Sequence, residues 1–77
     1  MRMEDASLIP DKTILLDIVR MQMPFGKYKG RLIKDLPLYY LEWLASKGFS
    51  NTRIGQILST TFEIKTNGLE FLLDGLE

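Results

Sequence analysis

The stretch Met-Pro-Phe-Gly-Lys-Tyr-Lys-Gly-Arg-Leu-Ile, residues 23–33, decides the fold that this sequence predicts. Pro24 ends any preceding helix, because proline lacks an amide hydrogen and disfavours helical geometry at the residue before it. Gly26 and Gly30 can adopt positive φ at tight bends, and basic and aromatic residues alternate between them. We therefore predict a β-hairpin over residues 25–33, which must lie on helices because a two-stranded hairpin is marginal alone.

Helices are predicted on both sides of this hairpin. Asp11 is a plausible N-cap for a first helix from Lys12 to about Arg20, whose apolar residues share one face. Pro37 fits the first position of a second helix that runs to about Lys47, and Gly48 suits the position after its end. The apolar face predicted for this second helix consists of Leu38, Leu41, Leu44 and Ala45.

A third helix, capped by Ser50 or Asn51, is predicted to continue to the end of the sequence. Apolar residues on both sides of Asn67-Gly68 keep one helical register, although Asn-Gly is locally a stop signal. The predicted fold class is α+β, with a helix, a β-hairpin, a helix and a long C-terminal helix in one small domain. That domain spans residues 11–77, and residues 1–10 are predicted to form a flexible N-terminal arm.

The composition excludes several classes of protein. The 77 residues include no cysteine and no histidine, which excludes disulfide scaffolds, zinc fingers, haem sites and catalysis by Cys or His. An apolar share of 45% and a charged share of 26% are typical of a globular domain. The apolar runs are too short to cross a membrane, and the first residues do not resemble a signal peptide, so the expected location is cytoplasmic.

Charge is segregated along the chain, although 10 basic and 10 acidic residues cancel. Residues 18–34 carry five cations and no acid, whereas residues 63–77 carry a net charge of −3. A concentrated basic block can attract a polyanion, and nucleic acid is the commonest one. The alternative is a solvated hairpin whose charge is complemented by the protein's own acidic helix.

Nucleic-acid binding needs cations for the phosphates and exposed aromatic rings for the bases. The candidate binding residues are Lys27, Lys29, Arg31, Lys34, Tyr39 and Trp43. On the second helix Tyr39 and Trp43, spaced i, i+4, project away from its apolar face. The alternatives to a binding role are that Tyr28 packs the hairpin against the helices and that Trp43 belongs to the core.

The sequence gives no catalytic site. The segment between Gly26 and Gly30 lacks the phosphate-binding pattern of a P-loop and does not open onto a helix. Two-metal hydrolysis needs convergent carboxylates. The acids Glu63, Glu70, Asp74 and Glu77 are predicted on an exposed helical face, and the two that remain, Asp35 and Glu42, are too few for such a site. We therefore predict a non-enzymatic protein with no catalytic residue, no metal site and no cofactor.

A protein–protein role is the competing hypothesis. An apolar patch of Tyr39, Trp43 and Phe71 could pair two copies or bind another protein. Small domains gain stability from oligomerisation, so a homodimer is a reasonable companion hypothesis. The predicted partners are therefore DNA or RNA, or else a protein partner or a second copy, and no membrane.

The motifs together resemble a known family. They are Met-Pro-Phe-Gly-Lys-Tyr-Lys-Gly at residues 23–30, Asp-Leu-Pro at 35–37, Tyr-Leu at 40–41, Trp43, Glu-Ile-Lys at 63–65 and Asn-Gly-Leu-Glu at 67–70. Over about residues 12–76 the chain resembles small bacterial proteins described as putative quorum-sensing-regulated virulence factors, a domain of unknown function. Residues 23–47 also resemble a module at the C-termini of exonucleases related to exodeoxyribonuclease X. That second resemblance implies a link to DNA handling, and neither resemblance implies a catalytic residue here.

Overall fold

The computed structural model describes residues 11–76, and the predicted arm at residues 1–10 lies outside them. Within the described residues the fold is all-helical. It comprises α1 (Lys12–Arg20), a 3₁₀-helix (Ile33–Asp35), α2 (Leu38–Lys47), α3 (Arg53–Thr66) and a second 3₁₀-helix (Glu70–Leu73). The α+β prediction is therefore wrong, because residues 11–76 contain three α-helices and neither a strand nor a sheet. None of the helices in this part of the chain has the length and hydrophobicity needed to cross a bilayer.

The first helix confirms the prediction made from its cap and its period. The Asp11 carboxylate accepts a hydrogen bond from the Thr13 amide at 3.0 Å, and this bond lowers the pKa of the Asp11 carboxyl below its ordinary value. Ile18 and Val19 are buried on the face that turns toward α3. On the surface, the Asp17 carboxylate of α1 accepts a hydrogen bond from Arg53 of α3 at 2.9 Å.

A loop over residues 22–32 replaces the predicted hairpin. Gly26 and Gly30 have φ angles of +78° and +92°. The Lys29 amide donates to the Gly26 carbonyl at 3.2 Å and the Arg31 amide donates to the Tyr28 carbonyl at 3.0 Å, so this stretch forms consecutive turns and not two extended strands. One isolated antiparallel bridge, between Gln22 and Leu32, closes the base of the loop. Met23 donates to the Arg31 carbonyl at 2.7 Å and accepts from the Gly30 amide at 2.8 Å, which completes the closure.

The second helix begins one residue later than predicted, with Pro37 as its N-cap, and ends at Gly48, which has a φ of +91°. The side chains that α2 buries are Tyr40 and Leu41. Leu38, which the helical projection placed on the buried face, is exposed. The reason is that α2 packs on two partners, α3 and the loop over residues 22–32, so its buried face is shifted from the one predicted.

The long C-terminal helix was also predicted wrongly. Thr52, and neither Ser50 nor Asn51, caps α3 by accepting a hydrogen bond from the Gly55 amide at 3.2 Å. The helix ends at Thr66, because Gly68 adopts a φ of +69° and the Leu69 amide donates to the Ile64 carbonyl at 2.8 Å. This is the bonding of a Schellman cap, so the local stop signal prevailed over the apolar register.

The three helices and both 3₁₀-helices share one apolar core. Its buried members are Ile18, Val19, Met23, Ile33, Leu36, Tyr40, Leu41, Ile57, Leu58, Ile64 and Leu73. Thr61 is fully buried among them, and its hydroxyl donates to the Ile57 carbonyl at 2.7 Å, so its polar group is satisfied. At Gly55 the Ser50 carbonyl approaches so closely that a Cβ would collide with it, which explains a glycine inside α3.

We predict that Gly68→Ala lowers the free energy of unfolding by about 1–2 kcal/mol, because alanine is strained at positive φ. A Cβ at this position meets no atom within 4 Å, so the whole cost comes from the backbone. Gly68→Asn is the matched control and should cost less, because asparagine tolerates the left-handed region. Thermal unfolding followed by circular dichroism measures both variants, and a higher Tm for Gly68→Ala would contradict the cap.

Candidate functional site

A groove of about 680 Å³ lies between the loop over residues 22–32 and α2. Its lining residues are Phe25, Gly26, Lys27, Tyr39, Tyr40, Trp43 and Leu44. These side chains are almost entirely apolar or aromatic, and none of the lining residues in the described part of the chain is acidic. We call this feature the aromatic groove.

Tyr40 forms the floor of the aromatic groove. Its side chain is only 7% exposed. The Tyr28 ring meets it edge-on at a centroid distance of 4.7 Å, and the Trp43 ring stacks on it at 5.9 Å with an interplanar angle of 19°. A Cβ on Gly26 would lie 2.9 Å from the Tyr40 hydroxyl, so glycine is needed for the loop to approach the ring this closely.

Three aromatic side chains of the groove are exposed to solvent. The exposed fractions are 60% for Tyr39, 53% for Trp43 and 45% for Phe25. The alternative that placed Trp43 in the core is therefore wrong, because more than half of its surface is accessible. Large aromatic rings normally contribute to the core of a domain this small, so these three exposed rings form an unusual apolar surface at one groove.

Cations lie beside these rings. The Lys27 ammonium is 5.5 Å from the centroid of the Tyr28 ring and 5.9 Å from that of Tyr39. The Arg31 guanidinium is 5.3 Å from the Tyr28 centroid, and the Lys47 ammonium is 5.6 Å from that of Trp43. Each contact is within the range of a cation–π interaction, so the groove combines apolar rings with positive charge at its edges.

The structure brings together some of the predicted binding residues and separates others. Lys27, Tyr39 and Trp43 line the groove, and Arg31 is adjacent to it through the Tyr28 ring. The side chain of Lys29 is exposed on the same loop. Lys34 lines a different pocket, of about 310 Å³, together with Glu70, Leu73, Asp74 and Gly75.

Sequence reasoning missed four side chains of the site. Phe25, Tyr40 and Leu44 line the groove, and Lys47 lies over the Trp43 ring. The i, i+4 spacing from Trp43 was a usable signal for Lys47, since residues four apart on a helix are neighbours. Phe71, which was grouped with Tyr39 and Trp43 in one patch, lies instead on the second 3₁₀-helix, outside the groove.

Tyr28 packs against the core and forms a hydrogen bond through its hydroxyl. It is half-buried against Tyr40, as the alternative that gave it a packing role predicted, and its hydroxyl is hydrogen-bonded to that of Tyr39. This bond raises the pKa of Tyr28 above its ordinary value, with desolvation as a smaller cause. Lys27 and Arg31 both lie over the Tyr28 ring, so they do not point away from it as they would from a strand.

The side chains of the groove supply aromatic rings, hydroxyl groups and ammonium groups. Phenol, indole and ammonium groups can stack on planar rings, donate hydrogen bonds and pair with anions. Among residues 11–76 no three acidic side chains form a group that could hold a metal ion.

Comparison with known proteins places the chain among small bacterial proteins. The sequence matches the family described as "Putative quorum-sensing-regulated virulence factor" over residues 11–76. It is 44% identical over 68 residues to "Uncharacterized protein YpeB" of Escherichia coli strain K12, across 87% of this chain and 94% of that protein. The protein of the same name in Escherichia coli O157:H7 matches equally. No solved structure matches significantly. These matches do not support the resemblance to an exonuclease module.

We predict that Tyr39→Phe lowers the pKa of Tyr28 toward its ordinary value, because the bond that favours the neutral phenol is lost. In the wild type the raised pKa of the Tyr28 phenol contributes to the free energy of unfolding. This contribution is fully present at pH values below the pKa of the unfolded state, and it is lost as the pH rises through the pKa of the folded state. Titration of the tyrosine Cζ resonances by NMR measures the shift. Tyr40→Phe is the control, since it keeps the Tyr28–Tyr39 bond and removes only a weaker cause of the raised pKa, so it should lower the pKa of Tyr28 less than Tyr39→Phe does. An unchanged Tyr28 titration in Tyr39→Phe would contradict this assignment.

Proposed function

We propose that this chain, which belongs to the family of putative quorum-sensing-regulated virulence factors, is a non-enzymatic protein that binds single-stranded nucleic acid in its aromatic groove. The observation that carries the proposal is the combination of exposed rings and cations on one surface. Tyr39 and Trp43 are more than half exposed, and Lys27 and Lys47 lie within 6 Å of their centroids.

Stacking supplies the first part of the proposed mechanism. The Trp43 ring is supported by Tyr40, on which it stacks, so it is held in place by packing while more than half of its surface remains accessible. A ring that is already held in position loses little conformational freedom when a base stacks on it. Base–aromatic stacking is tolerant of sequence, because every base has a π-face. The proposed binding is therefore weakly sequence-specific.

Cations supply the second part. Lys27, Lys29 and Arg31 follow one another on the loop beside the groove, and Lys47 extends the positive charge along α2. Nucleic-acid phosphates recur along the strand and are bound by such cations with release of counterions. Lysine side chains that lie over aromatic rings are long enough to turn toward a phosphate when a base replaces them on the ring. The same surface can thus contact a base and its backbone.

The apolar, aromatic lining of the groove favours unpaired bases over a duplex. In a duplex the base faces are stacked on one another and are closed to side chains. An almost wholly apolar groove has few groups that could read base edges by hydrogen bonding. An unpaired base, in contrast, can enter the groove and stack against Trp43.

A protein partner is the second candidate function, and the apolar lining of the groove favours it. Phe25, Tyr39 and Trp43 are the kind of exposed aromatic residues that anchor protein interfaces. An acidic protein segment with an aromatic residue would complement both the rings and the cations. The family description refers to quorum-sensing regulation and virulence, which is consistent with a regulatory role of either kind.

We predict that Trp43→Ala weakens the binding of a fluorescein-labelled single-stranded oligonucleotide by about 1–3 kcal/mol while the helical content is kept. Phe71→Ala is the matched control, because Phe71 is an exposed aromatic residue outside the groove and its removal should not weaken this binding. Fluorescence anisotropy of DNA and RNA oligomers measures the affinities. Equal affinities for the two variants, or no binding by the wild type at low salt, would reject the proposed function.

We also predict that replacing Lys27 and Lys29 with alanine reduces the salt dependence of binding. The slope of log K against log salt should become shallower by about 1 to 1.5, since each phosphate contact on a single strand contributes about 0.7. Lys12→Ala with Lys65→Ala is the charge-matched control on α1 and α3, and it should leave the slope unchanged. A similar change of slope in both double variants would mean that only the net charge matters.

A further inference from the structure

The C-terminal segment at residues 69–74 carries an unexplained exposed ring. Phe71 is 63% exposed, and Leu69 beside it is also exposed. Two carboxylates, those of Glu70 and Asp74, lie on the same segment. Lys34 lines a pocket together with both acids, and residues 69–74 themselves include no cation, so the segment's own charge is negative. The segment therefore combines an exposed aromatic ring with negative charge.

This segment is anchored away from the aromatic groove of its own chain. Leu73 is buried in the core and holds the second 3₁₀-helix in place. Within residues 11–76 this 3₁₀-helix packs on α1 and α3 and makes no packing contact with α2. Phe71 therefore cannot fill the groove of the molecule to which it belongs while that molecule stays folded.

The segment complements the groove of another molecule both in its exposed aromatic ring and in its negative charge. The groove offers exposed rings at Tyr39 and Trp43, against which a phenylalanine ring can stack. It also offers the ammonium groups of Lys27 and Lys47 at its edges, whereas the segment carries acids. Opposite charges around an apolar contact favour association and set its orientation.

We infer that the aromatic groove of one copy binds the segment at residues 69–74 of a second copy, with Phe71 against Trp43. The contact joins two different surfaces of the same chain, so each copy offers both a groove and a segment. The contact is centred on one inserted ring, so we expect the association to be weak and to depend on concentration. The self-association is inferred from the complementarity of the two surfaces alone. Its consequence, that the acidic segment competes with nucleic acid for the groove, rests on the proposed function.

Sedimentation velocity of two variants and their mixture tests this inference. Trp43→Ala removes the groove's ring, and Phe71→Ala removes the inserted ring. Each residue is more than half exposed, so both variants should stay folded, which circular dichroism checks. The wild type should form larger species as its concentration rises, and each variant alone should associate at least about tenfold more weakly.

The mixture identifies the contact. Trp43→Ala retains an intact segment and Phe71→Ala retains an intact groove, so an equimolar mixture should form a dimer and nothing larger. A wild type that stays monomeric up to millimolar concentration would overturn the inference. So would a self-associating wild type whose mixed variants stay monomeric, because the intact groove and the intact segment in the mixture would then not hold two copies together.

Adding a single-stranded oligonucleotide separates this inference from the proposed function. If both are correct, the oligonucleotide dissociates the wild-type assembly into monomers that carry nucleic acid. If the mixed variants pair but no oligonucleotide binds, the docking stands and the proposed function fails. If the oligonucleotide binds and leaves the assembly intact, the two ligands use different surfaces and the competition is overturned.

Discussion

The packing of Tyr40 is the interaction on which the rest of the site depends. Its ring lies between those of Tyr28 and Trp43, and its hydroxyl lies beside Gly26. Tyr28 holds the loop over residues 22–32 against α2, and Trp43 is held so that part of its surface remains open to solvent. A single buried ring thus joins the core, the loop and the aromatic groove. Because protein interiors are closely packed, any change in the volume of this ring is transmitted to the loop and to the groove together.

Local signals predicted the helices well, and one local pattern was misleading. The bounds of α1 followed from the Asp11 cap and the apolar period, and Gly48 marked the end of α2. The alternation of basic and aromatic residues over 27–31 has the period of a strand, but the positive φ angles of Gly26 and Gly30 turn the chain instead. At Gly68 the apolar residues that follow keep the register of α3 in the sequence. In the structure the chain after Gly68 forms a separate short 3₁₀-helix (Glu70–Leu73), because the Schellman cap ends α3 first.

The sequence predicted the exposed members of the site better than the buried ones. Tyr39 and Trp43 were placed on a free helix face by their spacing alone, and both are exposed. Tyr40 was missed because its burial depends on contact with Tyr28. Tyr28 lies on the loop over residues 22–32, and a helical projection of α2 gives no information on where that loop packs. The same limit applies to Lys34 and Phe71, whose surroundings are determined by contacts between elements far apart in the chain. Burial at such contacts is a property of the tertiary structure, so no periodic pattern encodes it.

Two optical signals report on different events in this protein, and Trp43 supplies the first of them. It is the single tryptophan of the sequence, and it lies in the groove, where Lys47 and Tyr40 are its neighbours. Its emission therefore responds to whatever enters the groove, because more than half of the indole surface is accessible there. Far-ultraviolet dichroism, in contrast, follows the three helices. A titration recorded by both methods would show occupancy of the groove and unfolding of the chain as separate transitions, without any attached label.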